Sequence, residues 1–313
     1  MKLSFNYSLL ASVLLITTAC QHKAAPVAGS GSQATVQTPT TDRTYMDAAG
    51  NLHLLGLSTR ERLAQAPFAS WFDQFYNGYT IDTATAGQLK PLLKNKKFVI
   101  FMGTWCGDSK REVPRMYKLL DYCGVKSSQI KLINVNNADS AYKQSPGHEE
   151  RGLSIFRVPD LLVYDKNGEA GRIVESPIVS LEKDLLAIVQ KQPYTPKYPG
   201  VAYLIQQFQS SNWQATPAMY EQAAAQMKPQ IKHWGELASF SRVMLTSGYT
   251  DRAIDAMQIA TLLYPAETGA FLYLATAYVK KGNTPAAKAC CEKVLQLQPG
   301  NADAMAFLKG LEK

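Results

Sequence analysis

One cysteine of the chain lies where a buried strand gives way to a helix. Residues 98–102 form an unbroken apolar run, which predicts a central strand buried on both faces. The sequence GTWCGDS, with Cys106 at its centre, follows and leads into a helix predicted over residues 108–122. Unpaired backbone N–H groups and the helix dipole favour the thiolate at such a position, and the thiolate is the form that attacks disulfides. The pattern therefore predicts a nucleophilic thiol at Cys106.

The residue three positions after this cysteine is Ser109 rather than a second cysteine. A single thiol can attack a disulfide and form a mixed disulfide, but it cannot close an intramolecular disulfide to release the product. Asp108 lies in the same turn, where its negative charge opposes a thiolate. The motif Cys-Gly-Asp-Ser thus predicts monothiol chemistry that depends on an external thiol.

The residues around this motif resemble those of the thioredoxin family. Trp105 precedes the cysteine, and Pro114 lies eight residues after Cys106, where the family has its helix-kinking proline. Val158-Pro159 precedes the next predicted strand, where the family has its cis-proline. The resemblance implies that Pro159 is cis and that the Val158 backbone pairs with a substrate chain beside the nucleophile.

The resemblance covers about residues 89–190 and includes a late hairpin turn at Asn167-Gly168-Glu169. It implies an α/β domain with a central mixed sheet flanked by helices. The chain departs from the family at Ile100, where the family has a buried acid. The proton relay that assists a second thiol is therefore missing together with that thiol.

Local patterns predict the elements that surround this segment. A capping box at residues 58–61 indicates a helix that runs towards Tyr76 and is interrupted at Pro67. Further elements are predicted as strands at residues 131–135, 160–164 and 171–175, and as a closing helix at residues 180–190. Together they give a domain over residues 44–192 with an N-terminal helical extension.

The C-terminal part of the chain has a different pattern. Three prolines mark residues 193–200 as a linker, and no strand is predicted in residues 201–313. Matching residues recur 34 positions apart at Gly248 and Gly282, Ala253 and Ala287, Leu263 and Leu297, and Pro265 and Pro299. This period resembles the tetratricopeptide repeat and implies an all-helical domain that docks a protein partner. Residues 201–227 are expected to supply a degenerate further hairpin.

The N-terminus predicts export and a lipid anchor. The apolar run at residues 9–19 is too short for the about 20 residues that span a membrane, and it suits a signal peptide. Ala19-Cys20 resembles a bacterial lipoprotein cleavage site. We expect a signal peptide at residues 1–19, a lipid on Cys20 and a flexible tether at residues 20–43. An ordinary signal peptide with an incidental cysteine is the alternative.

Composition bears on the other classes of partner. The net charge of +8 is spread over 313 residues with no block of five Lys or Arg, so no nucleic-acid partner is expected. The four histidines have no ligand spacing and no glycine-rich phosphate loop is present, so neither a metal nor a cofactor is expected. Gln21 gives no acidic retention signal after the lipidated cysteine, which favours the outer membrane of a bacterial cell envelope.

The remaining cysteines are expected to pack rather than react. Cys123 lies 17 residues after Cys106 along the same predicted helix, which at 1.5 Å per residue is about 25 Å. A disulfide needs Cα atoms within about 7 Å. Cys290 and Cys291 share an apolar stripe of the last repeat, and a resolving thiol delivered from there to Cys106 is the alternative.

These observations lead to one principal functional hypothesis. We expect a membrane-anchored, extracytoplasmic protein whose single catalytic cysteine exchanges with disulfides or thiols of client proteins, in reductase, isomerase or capture reactions. One alternative is a redox-inactive scaffold with the same fold, which Ser109 and Ile100 favour and the retained Trp105, Pro114 and Pro159 oppose. Another is a stress sensor in which Cys106 oxidises to sulfenic acid.

Overall fold

The computed structural model describes residues 43–210 and 212–312. The predicted signal peptide, Cys20 and all but the last residue of the predicted tether lie outside these residues. The described residues all belong to one compact unit, Pro39–Lys313. No helix within them is long and apolar enough to cross a membrane.

Six strands form one mixed sheet: β1 (Arg43–Met46), β2 (Leu52–Ser58), β3 (Lys97–Met102), β4 (Ile130–Asn134), β5 (Asp160–Asp165) and β6 (Gly168–Val174). Their order across the sheet is β1-β2-β4-β3-β5-β6. The pair β3 and β4 is parallel, and each of the other neighbouring pairs is antiparallel. The strand predicted from the apolar run at residues 98–102 is therefore confirmed as a central strand.

Within the described residues, five helices accompany the sheet: α1 (Arg60–Leu63), α2 (Ala69–Gly78), α3 (Thr83–Leu92), α4 (Gly107–Tyr122) and α5 (Leu181–Val189). Side chains of α2 to α5 form one core with Ile100, and this core covers one face of the sheet. A smaller core on Phe101, Ile133 and Leu162 lies against the other face, where Trp105 and Cys106 pack on it. Neighbouring residues of β3 thus face different cores because side chains alternate along a strand.

The N-terminal part of this region differs from the prediction. The sequence predicts a capping box at residues 58–61, but Ser58 belongs to β2. The N-cap of α1 is Thr59, whose side chain accepts from Arg62 N–H at 3.3 Å. Helix α1 has only four residues, and a separate helix begins after Pro67 because proline has no N–H to continue the ladder. The β1–β2 hairpin was not predicted.

The rest of the described chain is helical: α6 (Pro199–Gln209), α7 (Pro217–Met227), α8 (Gly235–Thr246), α9 (Thr250–Leu263), α10 (Thr268–Lys281), α11 (Thr284–Leu297) and α12 (Ala302–Gly310). The prediction of no strand after residue 201 agrees with these helices in the described part of the chain. Gly248 and Gly282 have φ of 82° and 80° in the turns before α9 and α11, a conformation that glycine adopts readily. Ala253 and Ala287 are completely buried, and their small side chains allow neighbouring helices to approach closely.

Aromatic side chains join the helical region to the sheet region. Phe156, in the segment before β5, is buried and contacts Phe240 of α8 and Tyr198 with ring centroids 6.1 Å and 5.6 Å apart. Both contacts have the edge-to-face geometry that aromatic pairs favour. Phe156 precedes strand β5 and Val174 is the last residue of strand β6. Both nevertheless belong to the core of the helical region.

Candidate active site around Cys106

Cys106 lies at the junction between the central strand β3 and helix α4. Its N–H donates to the Gly103 carbonyl at 2.9 Å, which closes a turn between the two elements. Cys106 is the N-cap residue of α4, with φ −88° and ψ 126°, and its thiol makes no capping hydrogen bond to the helix. The side chain is partly exposed. The sulfur therefore lies at the positive end of α4 with access to solvent.

The thiol contacts the backbone that precedes β5. Cys106 Sγ donates to the Val158 carbonyl oxygen at 3.3 Å, and the Val158–Pro159 peptide bond is cis. The Val158 side chain is buried in the small core beneath the site. The fold thus brings the three sequence-predicted residues Cys106, Val158 and Pro159 together across 52 positions of the chain.

Trp105 forms the neighbouring wall of the site. Its indole N–H donates to the Val135 carbonyl at 2.9 Å, just beyond the end of β4. The ring lies so close to the Gly103 backbone that a Cβ atom at that position would overlap the indole. The absence of a side chain at Gly103 therefore permits this orientation of Trp105.

Ser109 points into the protein rather than towards solvent. It is completely buried, and its hydroxyl accepts from Gly103 N–H at 3.3 Å. Asp108, which was expected to oppose a thiolate, forms an ion pair with Arg111 at 2.6 Å on the first turn of α4. Its charge is thus partly balanced within the helix that begins at Cys106.

Lys143 is a site residue that the sequence did not indicate. It is only 3% exposed, and its Nζ lies 5.8 Å from the Trp105 ring centroid and donates to the Tyr142 hydroxyl at 2.5 Å. Burial lowers the pKa of Lys143 to about 7; the charge of Arg157 contributes in the same direction, whereas Cys106 opposes it. A lysine in a polar loop carries no sequence signal of burial, because its burial depends on residues distant in the chain.

The segment that carries this lysine, residues 136–144, is called the Lys143 loop below. Its ends pair with each other, since Lys143 N–H donates to the Asn136 carbonyl at 2.8 Å and Asn136 N–H donates to the Gln144 carbonyl at 2.9 Å. Helix α8 contacts this loop through Thr246 and Arg242. The Thr246 hydroxyl, which shares its proton with two carbonyls of α8, lies 3.2 Å from the Tyr142 carbonyl, and the Arg242 guanidinium lies 3.7 Å from the Tyr142 ring centroid.

A buried acid directly follows Pro159. Asp160 is completely buried, and its Oδ2 accepts from Arg172 at 3.1 Å, whereas Oδ1 has no partner among the described residues. Arg172 also forms two hydrogen bonds of 2.7 Å with Glu169, so Asp160 receives only part of its charge. Burial consequently raises the pKa of Asp160 to about 7, with Arg172 opposing the increase. Ile100, which occupies the position of the family's buried acid according to the resemblance, is buried in the other core.

A second polar arrangement lies at Thr104, in the turn that precedes Cys106. His53 of β2 bridges the Thr104 hydroxyl, 3.2 Å from Nδ1, and the Asp47 carboxylate, 3.1 Å from Nε2. Thr104 Oγ1 also accepts from Leu54 N–H at 3.1 Å. These bonds attach the β1–β2 hairpin to the turn that precedes Cys106. No local pattern indicates these bonds, because the two segments are about fifty residues apart.

The other described cysteines are buried, and Cys106 alone of the four is partly exposed. Burial raises the pKa of Cys123 to about 11 and that of Cys290 to about 12. These thiols remain protonated near neutral pH, and Cys290 and Cys291 lie in the core of the helical region. No cluster of three metal-ligating side chains occurs in residues 43–210 and 212–312.

No protein-family model and no curated protein matches this chain. Its chemistry is therefore inferred from the arrangement of Cys106, Val158, Trp105 and Lys143.

Proposed function

We propose that this protein is a thioredoxin-like thiol–disulfide exchange protein with Cys106 as its single nucleophile. The observation that carries the proposal is the position of Cys106 Sγ, at the start of α4 and 3.3 Å from the carbonyl that precedes cis-Pro159. The sulfur is accessible to solvent there, and the neighbouring backbone offers an edge to which an extended client segment can hydrogen-bond. The mixed sheet with helices α2 to α5 against one face is compatible with this fold.

The reaction begins with attack of the Cys106 thiolate on a client disulfide. One client sulfur becomes bonded to Cys106, and the other leaves as a thiolate that takes a proton from solvent. The Val158 backbone holds the client chain during this exchange. Ser109 has no thiol with which to continue the reaction, so an external thiol attacks the mixed disulfide and Cys106 is regenerated. Capture is this mixed disulfide itself. Isomerisation follows when another thiol of the client attacks it, and reduction of the client requires two external thiols, which leave as their own disulfide.

The helical region is proposed to be tetratricopeptide-like and to dock a protein partner. Helices α9 and α11 have equal lengths and begin 34 residues apart, at Thr250 and Thr284. The buried alanines at equivalent positions and the similar turns before both helices support a repeated unit. Residues 201–227, proposed as a further hairpin, correspond to most of α6 and all of α7.

The location is proposed to be the bacterial cell envelope, with the protein held at the membrane by a lipid on Cys20. The short apolar run and Ala19-Cys20 support this assignment, and residues 20–43 would form the tether. Replacing Cys20 with Ser should abolish acyl labelling in the producing cell. Unchanged labelling of that variant would rule out the lipid anchor without affecting the proposed chemistry.

Capture of clients in oxidised cells tests the exchange activity. Wild-type protein should form disulfide-linked complexes that a reducing agent dissolves, because no internal thiol clears them. Cys106→Ser should lose these complexes, whereas Cys123→Ser, which changes a buried thiol, should retain them. Equal capture by wild type and Cys106→Ser would reject the exchange activity and favour a redox-inactive scaffold.

A further inference from the structure

Lys143 is a buried cation that lacks an acidic partner. Its Nζ makes one hydrogen bond, to the Tyr142 hydroxyl, and lies 4.0 Å from the Tyr142 ring centroid. No carboxylate among the described residues forms an ion pair with it. A buried ammonium ordinarily requires a counter-charge, so burial without one favours the neutral amine, which is able to accept a proton.

Charged groups from several elements face this amine. Arg157, before β5, and Arg242, on α8, disfavour its protonated form, while Cys106 and Glu175 favour it; burial has the largest effect. The Arg157 side chain is engaged by Glu175 at 3.8 Å, and that of Arg242 by Asp139. The pKa of Lys143, about 7, leaves both protonation states populated near neutral pH. Such a group can accept and return a proton during a reaction.

We infer that Lys143 accepts the proton of the external thiol that clears the mixed disulfide at Cys106. This inference rests on the proposed function. It assigns to Lys143 a proton transfer for which position 109 has no thiol and position 100 has no acid. The external thiol is a small-molecule thiol or a cysteine of another protein, and both present the same S–H group to the amine.

The step is balanced in protons and electrons. The neutral Lys143 amine takes the proton of the entering thiol, and the resulting thiolate attacks the client sulfur of the mixed disulfide. A new disulfide forms between the entering sulfur and the client, the bond to Cys106 breaks, and Cys106 leaves as a thiolate. The entering sulfur is oxidised and the Cys106 sulfur is reduced. The protonated amine then stabilises the released thiolate, because the opposite charges of Lys143 and Cys106 attract each other.

Helix α8 positions Lys143 for this role. Thr246 and Arg242 contact Tyr142, which precedes the lysine and receives the hydrogen bond from its Nζ. The helical region is therefore part of the site, since it fixes the Lys143 loop next to Trp105. Thr246 and Arg242 are positioning residues, and they act through the loop.

The test uses the full chain with Cys20→Ser, so that Cys106 is the reactive thiol. A mixed disulfide between Cys106 and a cysteine-containing peptide is prepared, chased with 2-mercaptoethanol between pH 6 and pH 9.5, and followed by intact mass spectrometry. Lys143→Met preserves the length of the buried chain but removes the amine. Lys143→Arg preserves the charge but cannot accept a proton. Lys118→Met removes a lysine farther along α4 as a matched control.

General base catalysis contributes roughly 10²–10⁴-fold, so both Lys143 variants should clear the mixed disulfide at least about tenfold more slowly at pH 7.5. The ratio of wild-type to variant rates should rise as pH passes about 7, where Lys143 loses its proton. This ratio should decline again at the higher pH values, where 2-mercaptoethanol loses its proton to solvent without a base from the protein. Lys118→Met should follow wild type throughout.

Two results would overturn the inference. Wild-type clearance by Lys143→Arg would show that charge alone acts, and equal clearance by Lys143→Met would show that the amine has no role. If Lys143→Met does not fold by circular dichroism, Lys143→Gln takes its place. Failure of wild type to form any mixed disulfide at Cys106 would instead reject the proposed function, and this inference with it.

Discussion

The hydroxyl of Thr246 lies 3.2 Å from the carbonyl oxygen of Tyr142, and it shares its single proton between this acceptor and the carbonyls of Arg242 and Val243, each 3.1 Å away in its own helix. The contact with Tyr142 joins the end of α8 to the Lys143 loop beside Cys106, although the two residues are 104 positions apart. A contact between regions that the sequence presents as separate domains therefore helps to define the candidate site.

Thr246→Val should loosen the Lys143 loop. The lost hydrogen bond should lower the free energy of unfolding by about 1 kcal/mol and speed amide hydrogen exchange at residues 142–144. Thr276→Val is the matched control, because the exposed Thr276 hydroxyl donates only to Leu272 within its own helix. The control should change stability by less than about 0.5 kcal/mol. Unaltered exchange in Thr246→Val would contradict the role given to α8.

Gly103→Ala should displace the Trp105 indole. The added Cβ overlaps the ring, and such overpacking typically destabilises by about 1–3 kcal/mol in urea unfolding. The alkylation rate of Cys106 should change as well, since Trp105 walls the site. Gly107→Ala, whose Cβ would meet nothing within 4 Å, should keep or slightly raise stability because alanine favours helices. Similar effects of the two substitutions would refute the packing argument.

Asp160 predicts a pH dependence of stability. Burial raises its pKa from 3.8 to about 7, so between those pH values the folded protein binds more protons than the unfolded chain. Stability from this residue is therefore lost as pH rises from about 4 to 7. Asp160→Asn should reduce that loss by roughly 2–4 kcal/mol in urea titrations across this range.

Asp165→Asn provides the control for this measurement. Hydrogen bonding by Asn167 N–H lowers the pKa of Asp165, so its stabilising contribution is lost only below its ordinary range. The slope between pH 4 and pH 7 should remain as in wild type. A wild-type slope in Asp160→Asn would mean that Asp160 stays ionised beside Arg172.

Ser109→Cys should convert the site to a dithiol. An adjacent thiol acts at a high effective concentration, so mixed disulfides at Cys106 should become at least about tenfold shorter-lived. Ser109→Ala is the control, because it removes the acceptor for Gly103 N–H without adding a thiol. It should lower stability by about 1 kcal/mol and leave the mixed disulfides long-lived. Equally persistent complexes in Ser109→Cys would show that position 109 cannot reach the intermediate.

The elements nearest the candidate nucleophile were predictable because their signals are local. The apolar run at residues 98–102, the cysteine at the start of a helix and the Asn-Gly turn between β5 and β6 each depend on a few adjacent residues. The structure has β3, α4 and this hairpin turn where those signals placed them.

The parts that the sequence did not reveal depend on distant partners. Strand β2 pairs with β4 through Gly56 and Asn134, which are nearly eighty residues apart. Gly56 has a φ of 80°, which interrupts the alternation of side chains between the two faces of β2. Lys143 is buried because α8 packs against its loop, which no property of residues 136–144 indicates. Asp160 is likewise the first residue of a predicted strand, but its burial arises from the assembled sheet.

The most direct measurement is the reaction of the Cys20→Ser chain with an excess of a peptide disulfide at neutral pH. Intact mass spectrometry should show one added peptide, and peptide mapping should place it on Cys106, because the other described thiols are buried. Cys106→Ser should gain no peptide. An unmodified wild-type chain, or an adduct that persists in Cys106→Ser, would contradict the assignment of Cys106 as the nucleophile.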